Sequence, residues 1–327
     1  MPRPSTVPPP VTSVLEAAGT WLPDGMAAVE RRLGQLTGGH GAALADDAGA
    51  TLAAGGKRLR PLLVLLCAGP AGGELAVRGG TAVELVHMAT LVHDDVLDGA
   101  PLRRGRPTVA ARSGRERAVA TGDLLFSRAF AELGADGGGG QVELLSSASV
   151  ALALGELAQR RDAYDTAVTR ERYLARCELK TARLFECACL LGRATDGSAA
   201  APELSSFGRE VGLAFQLLDD VLDVSGPSER TGKARGTDLL EGTVTLPLIL
   251  AREVDPELAG LDLRELDPAS AESVCDRIAA TGALDRAREL AAARVAAAKG
   301  GLAEAPFRDE ERRLLSLVAD GVVERYS

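Results

Sequence analysis

The pentapeptide Asp-Asp-Val-Leu-Asp occurs twice, at residues 94–98 and 219–223, and no other feature limits the fold as much. In each copy it closes an apolar segment of helical period. Leu85, Met88, Ala89, Val92 and Val96 give the first stripe; Phe207, Val211, Ala214, Phe215, Leu218 and Leu222 give the second. Both segments are too apolar for a surface helix, so both belong at the centre of a bundle. Each ends on three carboxylates within a turn, which repel one another and are costly to desolvate. For a single copy, a solvated acidic helix end is the bland explanation. Two identical copies argue for a site, in which facing helices line one cavity with Asp94, Asp95, Asp98, Asp219, Asp220 and Asp223. Magnesium suits such a cavity: it is a hard cation that joins one or two carboxylates to phosphate oxygens and keeps several waters.

The rest of the chain agrees with an all-α fold. Segments of helical period are expected at about 14–36, 42–54, 59–68, 75–97, 108–133, 141–164, 170–191, 203–224, 238–252, 269–281, 284–302 and 308–325. Glycine and proline punctuate them, and no convincing strand alternation interrupts. Aromatic residues are only 3% while alanine and leucine abound, which favours helices over a β-rich interior. Without a dividing linker, residues 13–327 read as one domain behind a proline-rich flexible tail, residues 1–12. No stretch approaches the ~20 apolar residues that span a bilayer. A net charge of -9 argues against a nucleic-acid binder, which needs a basic face. Five cysteines (Cys67, Cys177, Cys187, Cys189 and Cys275) are an odd set for a disulfide framework and point to a reducing, cytoplasmic setting.

The cations fall where an anion site needs them. Gly55-Gly56-Lys57-Arg58-Leu59-Arg60-Pro61 opens a helix, where backbone N–H groups and side chains together attract phosphate. Arg103 and Arg104 follow the first cluster, and guanidinium groups bind diphosphate oxygens in pairs. Lys180-Thr181 and Gly232-Lys233 come later. His87 lies two turns before Asp94 on the same helical face, whereas His93 lies off it and reads as a packing residue. No Ser/His/Asp or Cys/His arrangement suggests a protein nucleophile.

Together and in this order the blocks resemble the trans-polyprenyl diphosphate synthase family. They are residues 55–61, 84–87, 91–98, 103–105, 122–125, 180–182, 215–223, 238–242 with 246–247, and 322–325. The resemblance implies an isoprenoid synthase-type helical bundle around a deep central cavity, usually as a homodimer. It implies transfer of an allylic prenyl group to isopentenyl diphosphate with Mg²⁺ as cofactor. By carry-over, Asp94, Asp98, Asp219 and Asp223 hold metal on the allylic diphosphate, which Arg103, Lys180, Thr181, Gln216 and Lys233 also contact. Lys57, Arg60, His87 and Arg104 hold isopentenyl diphosphate, and Asp94, Asp98, Asp219 and Lys180 carry the catalytic effect. One departure is Thr243, where the family often has lysine.

Product length is expected to follow from Ala89 and Thr90, one turn before Asp94. Small side chains there leave a tunnel open, so a product longer than geranylgeranyl diphosphate is expected, and long products would partition into membrane. A geranylgeranyl or farnesyl product remains an alternative, since deeper residues could form a floor. A class I terpene cyclase would carry a mixed second metal motif and more aromatics; a non-catalytic synthase subunit would tend to lose the aspartates. A helical interaction protein with acidic patches is the remaining alternative.

Overall fold

The Gly73–Leu97 helix runs through the middle of the molecule, with Val83, Leu85, Val86, Met88, Ala89 and Val92 all buried. It packs along Arg115–Gly134 and against Leu59–Ala68. Pro202–Ser225, which bears the second aspartate cluster, is equally central and lies between Ala283–Glu304 and Arg183–Arg193. This is a computed structural model, and it describes residues 9–39, 41–135, 139–197, 201–226, 235–305 and 307–324. Among the described residues the only strands are Leu102–Arg103 and Arg106–Pro107, a short antiparallel hairpin after the first cluster. The fold is all-α, as expected.

Several boundaries differ from the sequence expectation. The helix expected at 14–36 is two, Pro9–Ala17 and Trp21–Thr37, parted where Gly19 takes a left-handed φ of 71°. The first begins inside the stretch expected to be tail; residues 1–8 lie outside the described residues. The helix expected at 108–133 divides into Val109–Ser113 and Arg115–Gly134. That at 238–252 divides into Thr237–Leu240 and Leu246–Arg252, the latter with Pro247 in its first turn.

The expectation that no stretch approaches ~20 apolar residues meets one exception among the described residues. Pro70–Leu97 has 28 residues and holds an 18-residue window of mean hydropathy 1.2, enough by length and composition to cross a membrane. In the fold, 72% of this window is buried inside the protein, so its apolar surface is spent on helix packing.

One local distortion shapes the site. Arg170–Cys177 and Arg183–Arg193 join through a wide π turn, Glu178–Ala182, which carries Lys180 and Thr181. Such turns displace side chains from the regular helical register. Two glycines admit it: a Cβ on Gly155 would sit 2.6 Å from the Lys180 backbone nitrogen, and one on Gly212 would sit 2.7 Å from Ala182 Cα. Gly155→Ala is therefore expected to destabilise the fold by about 2 kcal/mol through overpacking. Chemical denaturation measures it, and an unchanged midpoint would show that the helices can part here without cost.

Candidate active site

The two central helices bring both aspartate clusters to one polar region made of two cavities with shared walls, about 330 and 250 Å³. Asp219, Asp220, Arg60, His87, Arg103 and Gln216 line both. Lys57, Arg104 and Asp223 line only the larger. Asp94, Asp98, Thr90, Lys180 and Thr181 line only the smaller, together with the apolar side chains of Leu152 and Leu184.

Not every predicted residue is in the wall. Asp95 is buried and accepts a hydrogen bond of 2.7 Å from Arg103 Nε. Ala89 is fully buried in helix packing and lines neither cavity, whereas Thr90 lines the smaller. Lys233 lies outside the described residues. His93 stacks on Phe126 with ring centroids 5.9 Å apart, in a packing role.

The glycine-rich block divides its cations. Lys57 reaches over the Phe215 ring, its Nζ 4.5 Å from the centroid, and the Arg60 guanidinium lies 4.6 Å from the Phe185 centroid. Burial pulls Arg60 down to about 10 against the pull of Glu84, and its buried Nε has no hydrogen-bond partner. Arg58 between them is spent on structure: with a left-handed φ of 50° it turns inward to Glu30 at 2.5 Å and buried Glu84 at 2.9 Å. Burial, reinforced by Arg60, Arg104 and Arg103, holds His87 well below the usual imidazole range. His87 is thus a neutral hydrogen-bonding group in a cationic wall.

The first cluster is held by groups that sequence reasoning missed. Glu156, Gln159 and Arg160 project from the Gly139–Asp162 helix. Arg160 pairs with Asp98 at 2.5 Å and with Glu156 at 2.7 Å. Lys180 donates to Glu156 and to Gln159, the latter at 3.2 Å, and stands 3.9 Å from Asp94. Burial raises Asp94 to about 6, with Glu156 and Asp98 adding to the rise and Lys180 opposing it. Burial works against the Lys180 charge too, but Asp94 and Glu156 outweigh it and the ammonium is held above its ordinary value. A polar trio at spacing i, i+3, i+4 was the available signal.

Around the second cluster, Asp220 is buried, and both its oxygens are taken up. Tyr173 O–H donates to one at 2.6 Å and Gln216 Nε2 to the other at 2.7 Å. Thr181 O–H in turn donates to Gln216 Oε1 at 2.7 Å. Burial, with Asp238, raises Asp220 to about 8. Asp223 accepts from the Asp238 backbone N–H at 3.2 Å. Asp238 and Thr243 also line the smaller cavity.

Among the described residues, no three His, Cys, Asp or Glu side chains gather into a ready-made metal cage. The donors are instead single carboxylates on two helix ends around a cationic cavity. That set fits magnesium, which needs only one or two protein carboxylates when phosphate oxygens and water complete its shell.

An all-α bundle whose central cavity sets paired acidic helix ends among guanidinium and ammonium groups defines a diphosphate-handling prenyltransferase. The chain belongs to the polyprenyl synthetase family, whose model matches residues 43–276. It is 39% identical over 286 residues to heptaprenyl diphosphate synthase component 2 of Geobacillus stearothermophilus, covering 84% of this chain and 88% of that protein. It is 36% identical to the octaprenyl diphosphate synthase of Escherichia coli K12, covering 78% of this chain and 83% of that one. In structure it matches a polyprenyl synthase from Caulobacter crescentus CB15, complexed with calcium and isoprenyl diphosphate, with a TM-score of 0.90 at 35% identity, over 99% of this chain and all of that one. Geranylgeranyl diphosphate synthases are also among its relatives.

Proposed function

We propose that this chain joins isopentenyl diphosphate head to tail to an allylic diphosphate, with Mg²⁺, and releases an all-trans polyprenyl diphosphate longer than geranylgeranyl. The observation that carries the reading is the division of the cavity. Lys57 and Arg104 stand on one side, Asp94, Asp98, Lys180 and Thr181 on the other, with Arg60, His87, Arg103, Gln216 and Asp219 between them. Two diphosphates placed side by side need such an arrangement. Isopentenyl diphosphate takes the chamber of Lys57 and Arg104, and the allylic substrate that of Lys180 and Thr181. The long-chain product is supported by the heptaprenyl and octaprenyl synthases among its relatives.

When bound, magnesium neutralises negative charge that develops on the departing diphosphate. Asp94, Asp98, Asp219 and Asp223 are the residues that would hold it. Lys180 and Arg103 add fixed positive charge aimed at the same group, an electrostatic effect that costs no reorganisation during reaction. The allylic C–O bond breaks with its electron pair going to diphosphate. The isopentenyl double bond then attacks the allylic carbon, and the proton lost from the adduct passes to the released diphosphate. No protein nucleophile takes part, and the neutral His87 positions substrate by hydrogen bonding.

A second copy completes the assembly in this reading. On the Gly139–Asp162 helix, Val150, Leu154 and Leu157 are 57%, 51% and 66% exposed at spacing i, i+4, i+7, and Val119 on the neighbouring helix is 40% exposed. An unpartnered apolar stripe of this kind fits a homodimer interface. Leu154→Glu with Leu157→Glu is expected to convert a dimer to a monomer in light scattering, and an unchanged mass would reject this face. The five cysteines are buried free thiols, which supports a reducing cytoplasmic setting.

The test is incubation with isopentenyl diphosphate, Mg²⁺ and, separately, dimethylallyl, geranyl, farnesyl and geranylgeranyl diphosphates, with products sized by mass spectrometry. An acyclic ladder extending beyond geranylgeranyl is expected. A geranylgeranyl end point would reject the long-chain reading alone, and absence of elongation from every starter would reject the activity.

A further inference from the structure

We infer that Asp220, unlike its neighbours Asp219 and Asp223, serves as a positioning residue and not as a metal ligand, and that Tyr173 is the group that holds it in this role. The inference rests on the diphosphate-binding reading of the cavity and deepens it. Four side chains from three pieces of structure form one hydrogen-bonded line. Tyr173 comes from Arg170–Cys177, Thr181 from the π turn, and Gln216 and Asp220 from Pro202–Ser225. Tyr173 is 1% exposed and Asp220 3%, so neither hydroxyl nor carboxylate can exchange its partner for bulk water.

The line has a direction that determines what the cavity sees. One Asp220 oxygen accepts from the Gln216 amide nitrogen at 2.7 Å, and the other accepts from the Tyr173 hydroxyl at 2.6 Å. The Gln216 carbonyl is then fixed toward Thr181, from which it accepts at 2.7 Å. An amide nitrogen carries two hydrogens, and only one is used on Asp220. Gln216 lines both cavities, so its second N–H is available to a phosphate oxygen. If the amide turned over, it would present a carbonyl oxygen to an anion, which is repulsive. Tyr173 and Asp220 thus prevent an inversion of polarity at the wall shared by the two substrates. With both Asp220 oxygens committed to Tyr173 and Gln216, the second cluster divides between scaffold at Asp220 and metal at its neighbours.

The probe is inorganic diphosphate, titrated calorimetrically into the full-length protein at a series of Mg²⁺ concentrations. Tyr173→Phe keeps the ring and its packing, and Asp220→Asn keeps the volume, so either one can carry the test if the other fails to fold. In both, diphosphate affinity is expected to fall about tenfold, the scale of one misdirected hydrogen bond in a buried site. The Mg²⁺ concentration at half-saturation should stay within about twofold of the unmodified protein, since the line from Tyr173 to Thr181 hydrogen-bonds none of the carboxylates assigned to metal. Asp219→Asn should move that half-point about tenfold or more. In steady-state kinetics, the loss in Tyr173→Phe should appear as a raised KM, larger for the allylic substrate, whose chamber also holds Thr181, than for isopentenyl diphosphate. An Asp220→Asn half-point that moves with that of Asp219→Asn would overturn the assignment, and so would wild-type diphosphate affinity in Tyr173→Phe. Failure of the unmodified protein to bind diphosphate at any Mg²⁺ concentration would instead reject the functional reading on which this rests.

Discussion

Asp219→Asn is expected to lower kcat for prenyl transfer about a thousandfold, equivalent to about 4 kcal/mol of transition-state stabilisation. Asp219 lines both cavities, at the place where the two diphosphates meet in the proposed reading. Asparagine keeps the size and one oxygen but loses the charge that a hard cation requires. Because the interaction strengthens as charge builds on the leaving group, its loss should fall on kcat more than on KM. Asp95→Asn provides the contrast. Asp95 is buried against Arg103 and lines neither cavity, so its loss should weaken the hold on Arg103 and cost far less turnover. Initial rates at saturating substrate, measured across Mg²⁺ concentrations, decide the matter. Near-normal turnover in Asp219→Asn would reject the assignment of metal to the second cluster.

The features legible in the sequence are those that one helix fixes by itself. The repeated pentapeptide marked two central helix ends, and both lie in the wall of one polar region. The glycine-rich block marked its cations, yet one-dimensional spacing could not show that Arg58 turns inward to Glu30 and Glu84 while Lys57 reaches the Phe215 ring in the cavity wall and Arg60 the buried Phe185 ring behind it. That division depends on a left-handed residue at the head of a helix, a conformation arginine rarely adopts. Glu156, Gln159 and Arg160 were overlooked for a different reason. Their helix bears an exposed apolar stripe on another face, and which face meets Lys180 is decided by the π turn and by Gly155, a contact across 25 positions of chain. Tyr173 stands two helical turns before Lys180, so its face was readable in principle; its partner Asp220, 47 positions away, was not.

Thr90→Phe is expected to shorten the principal product by several isoprene units. Thr90 lies one turn before Asp94 and lines the smaller cavity with Asp94, Asp98 and the apolar side chains of Leu152 and Leu184. A growing prenyl tail must leave the diphosphate end and pass this level. The Thr90 hydroxyl donates back to the His87 carbonyl at 2.8 Å, so the side chain is folded against its own helix and adds little bulk to the passage. A phenylalanine there extends into the cavity with no such restraint, and close packing leaves few ways around it. Ala89, expected from the sequence to share this role, is fully buried and in neither wall. Ala89→Phe should therefore act through overpacking, costing about 1–3 kcal/mol of stability, and reveal itself in the melting temperature and not in the product. Mass spectrometry of products from farnesyl diphosphate, with thermal melts of both variants, separates the two effects. A normal product length in Thr90→Phe, or a shorter product only in Ala89→Phe, would place the tunnel on the other face of the Gly73–Leu97 helix.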